Sequence, residues 1–391
     1  MVANLKILFR ALSLLCVFST LLACSDGSDH HAKSIDAPDM LGSFGIGHTL
    51  FTAIDAVRDN RSLLVDVWYP VDPEDRQESL LTTYPLAPGI GLRSKVAVDD
   101  LPVSGRENQT LLVFSHGLGG THTQSVELME MLASHGFIVA SPEHTGNAQP
   151  SNTDSFDEAA ASRVPDVSFL IDTMVGRSNE AGDRFYNRID EQRMGVVGHS
   201  FGGMTAIGMA AGWAGGSPDH RVTAIVPISA VIHAELQSDT RTGPNAGFTA
   251  LQLAGITVPV MLIGGTEDIN VFIENNSIAF EQLTNASKVY KVDIIGATHT
   301  HFANVCAIGN LLIEQLGITQ DKWPAIGAQE LLEPYAMTCS AEAFPIEEAI
   351  RLQNLFVVSF FKRHLLGDTG YDSYLSNEYA ESEKAVKVSV R

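Results

Sequence analysis

The sequence has few basic residues. Its 391 residues include 25 Lys and Arg against 46 Asp and Glu, a formal net charge of −21. Nucleic acids and anionic lipid surfaces bind proteins through clustered positive charge, so neither is expected as a ligand. A hydrophobic fraction of 45% with 18% charged residues is too apolar for a disordered chain and too mixed for a protein with many membrane spans. The composition is that of an acidic globular protein, long enough for one large domain or two ordinary ones.

Cysteine is also scarce, with four in the chain, and no repeat of solenoid period is present. Two of the four, Cys16 and Cys24, fall in an N-terminal segment that is typical of an export signal. Lys6 and Arg10 give this segment its positive charge, and the apolar run after them is too short to span a bilayer comfortably.

The LLAC sequence that ends at Cys24 resembles the lipobox of bacterial lipoproteins. This resemblance implies that residues 1–23 are a signal peptide and that Cys24 is lipidated, whereas a plain secretory signal with an incidental cysteine is the alternative. Ser25 resembles the outer-membrane sorting pattern. We therefore expect an exported protein, lipid-anchored to the bacterial cell envelope at the outer membrane, that meets a membrane only through this N-terminus. The polar residues 24–45 predict a flexible tether.

Short apolar runs alternate with amphipathic stretches over residues 46–370, which predicts a mostly parallel central sheet flanked by helices on both faces. Residues 73–109 are turn-rich and polar and predict a surface connection. Residues 300–345 lie between the last predicted strand and a long amphipathic helix, and predict an insertion or cap. Residues 371–391 are expected to form a C-terminal tail. The fold class is therefore α/β, in one domain.

The two remaining cysteines, Cys306 and Cys339, lie in the predicted insertion. Because an exported protein meets an oxidising compartment, we expect one disulfide between them, with two free buried thiols as the alternative. A zinc site would need further Cys or His residues at ligand spacing around them, and none is present.

The strongest motif is the GHSFGG sequence around Ser200. It follows an apolar strand and opens a predicted helix, which is the context that distinguishes a nucleophile elbow from a chance G-x-S-x-G match. Glycines on either side of the serine avoid clashes in the strained turn that raises its oxygen above the sheet. The motif therefore predicts Ser200 as a nucleophile; an idle serine in a glycine-rich helix start is the alternative.

At this motif the chain resembles the α/β-hydrolase family. The FSHGLGG sequence of residues 114–120 and the VDVWYP sequence of residues 65–70 share the resemblance. Within the family the chain is similar to bacterial dienelactone-hydrolase-like esterases, to relatives of platelet-activating-factor acetylhydrolase and to polyester hydrolases. The resemblance covers most of the predicted domain outside the insertion, and it implies a serine esterase that needs no cofactor.

An esterase of this type stabilises a tetrahedral oxyanion with two backbone N–H groups. The residue after the nucleophile, Phe201, supplies the first. By resemblance Leu118, one position past the His-Gly pair, supplies the second, and Gly117 is the neighbouring possibility.

The family order places an acid and then a histidine after the serine. Asp268 matches the family position of the acid, beyond a predicted strand, with Glu267 as the alternative. For the base the sequence offers both His299 and His301; we favour His299, and His301 remains the alternative base. A His-x-His pair also suggests a metal, but no third ligand lies at suitable spacing and no metal is expected.

These residues predict a serine carboxylic-ester hydrolase that forms an acyl-enzyme with short to medium acyl esters. The alternatives are a depolymerase of aliphatic polyesters such as polylactide, a phospholipase or acetylhydrolase of short acyl groups, and a non-catalytic surface binding protein. The expected partner is a small-molecule or polymeric ester.

Overall fold

The computed structural model describes residues 35–77, 80–239 and 241–391, and residues 35–391 belong to one compact unit. The expected signal peptide, the lipidated Cys24 and the first part of the predicted tether lie outside the described residues.

Strands and helices alternate along most of the described chain. The strands are β1 (Gly45–Asp55), β2 (Arg61–Val71), β3 (Leu81–Ala87), β4 (Ile90–Asp99), β5 (Gln109–Ser115), β6 (Ile138–Pro142), β7 (Asn147–Ala148), β8 (Ser151–Asn152), β9 (Ile189–His199), β10 (Val222–Ile228), β11 (Val260–Gly265), β12 (Val289–Ile294) and β13 (Val386–Val390). The α-helices are α1 (Val126–Ser134), α2 (Phe156–Asn179), α3 (Phe201–Ala211), α4 (Ala250–Ala254), α5 (Glu274–Gln282), α6 (Val305–Asn310), α7 (Leu332–Cys339), α8 (Ile346–Leu365) and α9 (Asn377–Ser382).

Eleven of these strands form one sheet, in the order β13-β12-β11-β10-β9-β5-β6-β2-β1-β4-β3. The six strands from β12 to β6 run parallel to one another. Ser115 at the end of β5 pairs with Gly198 of β9, and His199 pairs with Ile228 at the end of β10. The carboxyl ends of these central strands therefore lie side by side, which is where ligands bind to open parallel sheets.

Both faces of the sheet are covered, and β5 illustrates why. Its side chains alternate between faces: Leu111 and Val113 pack into the core beneath α2 and α3, and Leu112 and Phe114 into the core beneath α1 and α8. All seven residues of β5 are buried. The predicted α/β class, with a mostly parallel sheet between helices, is confirmed.

Residues 73–109 differ from the predicted surface connection, because they contain β3 and β4. These strands form an antiparallel hairpin, and β4 continues the sheet by pairing parallel to β1. Only three of the ten residues of β4 are buried, and Pro85 interrupts β3 near the sheet edge. An edge hairpin of this kind carries little of the hydrophobic signal by which strands are predicted.

The domain extends beyond both predicted boundaries. In the region predicted as a C-terminal tail, β13 pairs antiparallel with β12, and Tyr371 is buried and donates its hydroxyl hydrogen to the Asp36 carbonyl. In the region predicted as a tether, Phe44 is buried and Asp39 pairs with Arg351 at 3.1 Å. These segments are short and locally polar, so only their contacts with the domain reveal that they belong to it.

The predicted insertion is helical and contains α6 and α7. The Cys306–Cys339 disulfide joins these two helices, with the Cα atoms 5.5 Å apart, as the sequence predicted. Trp323 is fully buried beneath them, and its ring centroid lies 5.2 Å from that of Tyr335. Among the described residues, no helix combines the length and hydropathy that crossing a bilayer requires.

Candidate active site

Ser200 lies at the sharp turn between β9 and α3, with φ 58° and ψ −118°. Its N–H donates to the carbonyl of Ile228 at 2.8 Å, which ties the turn to β10. A Cβ atom at Gly202 would lie only 1.8 Å from the carbonyl oxygen of Ser115, and one at Gly198 would lie 2.1 Å from the carbonyl oxygen of Gly202. The motif glycines are therefore required by close backbone approach, and the strained turn expected from the sequence is present.

Asp268 and His299 meet at the same end of the sheet. Asp268 follows β11, and His299 opens a short 3₁₀ turn after β12. Nδ1–H of His299 donates to Oδ2 of Asp268 at 2.8 Å, while Oδ1 accepts from the N–H groups of Asn270 and Val271 at 2.9 and 2.8 Å. Burial alone would raise the pKa of the Asp268 carboxyl, but His299 and the Val271 N–H outweigh it and hold that pKa below its usual value. Asp268 is therefore an ionised partner that leaves Nε2 of His299 available as an acceptor.

Within the described residues, Ser200 Oγ makes no hydrogen bond. Such contacts are often long or misaligned in unliganded enzymes and tighten when substrate binds.

The alternative base, His301, faces a different part of the molecule. Its Nδ1 accepts from the Thr298 N–H at 2.9 Å, and its Nε2–H donates to the carbonyl of Phe344 at 2.8 Å. Both ring nitrogens are therefore occupied, and burial lowers the pKa of this imidazole. The structure brings His299, and not His301, to Asp268.

The turn after β5 lies against the elbow. A Cβ atom at Gly117 would sit 3.5 Å from Cβ of Ser200. The Gly117 N–H donates to Oε1 of Gln124 at 3.0 Å, which leaves it unable to serve an oxyanion. Across the described chain, by contrast, neither the Leu118 N–H nor the Phe201 N–H has a protein acceptor. The two N–H groups predicted as oxyanion donors, those of Leu118 and Phe201, thus have no protein acceptor in the described chain. The N–H of the alternative, Gly117, is already bonded to Gln124.

Comparison with known proteins finds similar chains whose names describe ester hydrolases. The chlorophyllase family profile matches residues 103–277. Cutinase 2 of Thermobifida cellulosilytica is 27% identical over 50% of this chain and 62% of its own length, and Cutinase est2 of Thermobifida alba is 36% identical over 25% of this chain and 29% of its own. The chain spans about half the length of most cutinases that it matches.

Two further relatives extend the comparison. The platelet-activating factor acetylhydrolase of Bos taurus is 27% identical over 26% of this chain and 32% of its own length. A solved ferulic acid esterase from Streptomyces cinnamoneus superposes with a TM-score of 0.58 at 23% identity, over 85% of this chain and 93% of that chain. The chain has the α/β-hydrolase fold. The resemblance inferred from the sequence is therefore confirmed.

A hydrogen-bonded chain links the turn after β5 to His299. Gln124, which accepts from Gly117, donates through Nε2 to Nδ1 of His199 at 2.8 Å. Nε2–H of His199 then donates to the carbonyl of His299 at 3.0 Å. Burial, and secondarily the neighbouring His299, lower the pKa of His199 to about 3, so this imidazole stays neutral. His199 stands next to the nucleophile in the GHSFGG sequence, whereas no local motif marks Gln124, whose partner His199 lies 75 positions away.

Glu143 and His144 follow directly after β6. His144 is fully buried and is hydrogen-bonded to Ser115 Oγ and to Asp166 Oδ2, both at 3.0 Å. This serine, histidine and aspartate resemble a second triad, but none of the three is exposed to a substrate. Glu143 pairs with His122 at 3.1 Å. The cluster therefore belongs to the buried interior and not to a substrate site.

A small cavity of about 50 Å³ opens beside His299. The insertion forms one wall through Glu333, Pro334 and Met337, and Asn270 also lines it. A larger cavity of about 380 Å³, between the N-terminal segment and β4, shares no lining residue with these groups. In the described ranges, no group of three or more His, Cys, Asp or Glu residues is arranged to hold a metal ion.

Proposed function

We propose that the protein is a serine carboxylic-ester hydrolase that works through an acyl-enzyme. The observation that carries the proposal is the hydrogen bond from His299 to the ionised Asp268, beside a strained elbow at Ser200. The two free N–H groups of Leu118 and Phe201 support it further, because they supply the charge stabilisation that acyl transfer requires. Relatives named cutinase and acetylhydrolase are consistent with this class of reaction.

The first half of the reaction forms the acyl-enzyme. Nε2 of His299 takes the proton of the Ser200 hydroxyl as Oγ attacks the ester carbonyl carbon. The carbonyl oxygen becomes an oxyanion, which accepts hydrogen bonds from the Leu118 and Phe201 N–H groups. The imidazolium, stabilised by Asp268, then protonates the leaving alcohol as the carbon–oxygen bond breaks.

Water completes the cycle by the same steps. His299 takes a proton from water as its oxygen attacks the acyl carbon, and the second tetrahedral intermediate collapses. The proton on His299 returns to Ser200 Oγ, and the carboxylic acid is released.

We propose short to medium acyl esters as substrates, because the insertion reaches the cavity beside His299 through Glu333, Pro334 and Met337 and is the element expected to limit acyl length. A polyester substrate is the second candidate, supported by the cutinase relatives. A phospholipase or acetylhydrolase of short acyl groups is supported by the acetylhydrolase relative.

The test compares the oxidised protein with its Ser200→Ala variant on p-nitrophenyl esters from acetyl to palmitoyl and on emulsified polylactide. We expect Ser200-dependent hydrolysis of the shorter esters, and clearing of the emulsion would identify a polyesterase. Hydrolysis by Ser200→Ala at the wild-type rate would contradict the assignment of Ser200 as the nucleophile. Absence of any Ser200-dependent hydrolysis would favour the non-catalytic binding protein.

We also propose that the protein is exported and anchored to the cell envelope through acylated Cys24. The proposal rests on the LLAC sequence alone. Metabolic labelling with a radioactive fatty acid should mark the wild type and not Cys24→Ala, and cell fractionation should find only the wild type in the membranes. Equal labelling of both forms would contradict it.

A further inference from the structure

Arg163 lies on α2, fully buried beneath the oxyanion turn. Its Nη1 donates to the carbonyl of His116 and, at 3.2 Å, to Oγ of Ser115. Its Nη2 donates to the carbonyl of Gly117 at 3.0 Å and to Oδ1 of Asn147. Both terminal nitrogens of the guanidinium are therefore committed, and two of their four acceptors are consecutive carbonyls of the turn.

The Gly117 carbonyl matters because it shares a peptide unit with the Leu118 N–H. A trans peptide is planar, so its C=O and N–H point in opposite directions. Whatever fixes the direction of the Gly117 carbonyl therefore also aims the Leu118 N–H.

That carbonyl accepts three hydrogen bonds, from Nη2 of Arg163 at 3.0 Å, from Nδ1–H of His116 at 2.7 Å and from the Gly120 N–H at 3.1 Å. Only the Arg163 bond is charge-assisted, and such bonds are roughly twice as strong as neutral ones.

The face of the same guanidinium packs on the second half of the oxyanion hole. Cζ of Arg163 lies 4.7 Å from the centroid of the Phe201 ring. The edge of the guanidinium thus orients the peptide that carries the Leu118 N–H. Its face packs on the side chain of Phe201, whose N–H is the other proposed donor. A lysine has neither the planar fork nor the flat face needed for both contacts.

Neutralising the nearby buried carboxylate does not account for this arrangement. Asp166 already pairs with Arg58 and Arg61, each at 2.7 Å, and accepts from His144 at 3.0 Å. No hydrogen bond joins Arg163 to Asp166 in the described part of the chain. The polar contacts of Arg163 go instead to the turn, to Ser115 and to Asn147.

We propose that Arg163 is a positioning residue of the oxyanion hole. It directs the Leu118 N–H by holding the Gly117 carbonyl, and it keeps this N–H aligned with the N–H of Phe201. This inference rests on the proposed esterase function and adds to it a residue that touches neither the substrate nor Ser200.

The test measures p-nitrophenyl acetate and its thiono analogue, in which sulfur replaces the carbonyl oxygen. Sulfur is a weak hydrogen-bond acceptor, so the preference for the oxygen ester reports on the oxyanion hole. We expect Arg163→Met to lower kcat for the oxygen ester on the order of 10²-fold, as for a misplaced donor, with KM within about threefold. For the thiono ester kcat should fall much less, so the ratio of kcat for the oxygen ester to kcat for the thiono ester should decrease.

Arg163→Lys keeps the charge and most of the stem, and it carries the test if the methionine variant does not fold. We expect its preference for the oxygen ester to narrow as well. The matched control is Arg61→Met, which weakens the Asp166 cluster without touching the turn. Its melting temperature should fall while its preference for the oxygen ester is unchanged.

Two results would overturn the inference: a folded Arg163 variant with wild-type kcat, or equal losses on both esters, which a merely structural role would cause. The same preparations include Ser200→Ala. Hydrolysis that survives in Ser200→Ala overturns the proposed function itself, whereas loss of activity there together with an unaffected Arg163 variant overturns only the inference.

Discussion

We expect the disulfide of the insertion to contribute measurably to the free energy of unfolding. Cys306 and Cys339 are 33 positions apart. In the chain-entropy model a disulfide that closes a loop of that size lowers the entropy of the unfolded chain by about 12.5 cal/mol/K. This stabilises the folded state by about 3.7 kcal/mol at 25 °C. We expect the double variant Cys306→Ser/Cys339→Ser to lose about that much free energy of unfolding. With an unfolding entropy of about 2.1 cal/mol/K per residue over roughly 360 residues, its melting temperature should fall by about 5 °C.

The same variant should also change substrate selection. α7 ends at Cys339 and carries Pro334 and Met337 of the cavity wall, yet Thr338 is its only buried residue. Apart from the disulfide, little buried surface holds this helix in place. We therefore expect the variant to hydrolyse longer acyl chains better relative to acetyl than the wild type does.

Thermal unfolding and the p-nitrophenyl ester series measure the two effects. Wild type treated with reductant should resemble the double variant, and the variant itself should not respond to reductant. An unchanged melting temperature would refute the entropic reasoning. A lower melting temperature with the same chain-length profile would show that α7 does not limit acyl-chain length.

The remaining predictions concern the triad and its buried histidines. His299→Gln and Asp268→Asn should each lower kcat on the order of 10³- to 10⁴-fold in ester assays. His301→Gln should keep most of its activity but lose about 1–3 kcal/mol of stability, because it removes two buried hydrogen bonds. The reverse pattern would assign the base to His301. Burial lowers the pKa of His144 to about 4 and of His199 to about 3, so below about pH 6.5 the unfolded chain binds protons that the folded chain does not. Their burial therefore costs no stability above that pH, and on acidification the free energy of unfolding falls by about 1.4 kcal/mol per pH unit for each histidine until the pH reaches its folded pKa. Equal urea midpoints at pH 5 and pH 7 would contradict this.

Most residues of the candidate site could be proposed from the sequence because they stand in distinctive local contexts. The GHSFGG sequence around Ser200 lies between a strand and a helix, and Asp268 follows a buried strand, so short-range patterns were enough to propose both. The sequence could not separate His299 from His301, since both fit a loop after the same strand. Only the direction of each ring relative to Asp268 distinguishes them in the structure.

The supporting residues could not be predicted for a different reason. Gln124 contacts His199 from 75 positions away, and Arg163 contacts the Gly117 carbonyl from 46 positions away. Their contacts join segments that are distant in sequence, so no local pattern marks them. β13 was missed for the same reason, because five residues become a strand only beside a partner such as β12.

The pairing of β13 with β12 also protects the molecule in solution. Uncovered, β12 would present a row of free N–H and C=O groups on a hydrophobic strand, which is a template for pairing with other chains. β13 occupies that row, and as the new border it is only five residues long and carries the exposed Lys387. At the opposite border, β3 is short and contains Pro85. Both edges of the sheet therefore disfavour edge-to-edge aggregation. At one of them, β13 covers β12, the strand that precedes His299.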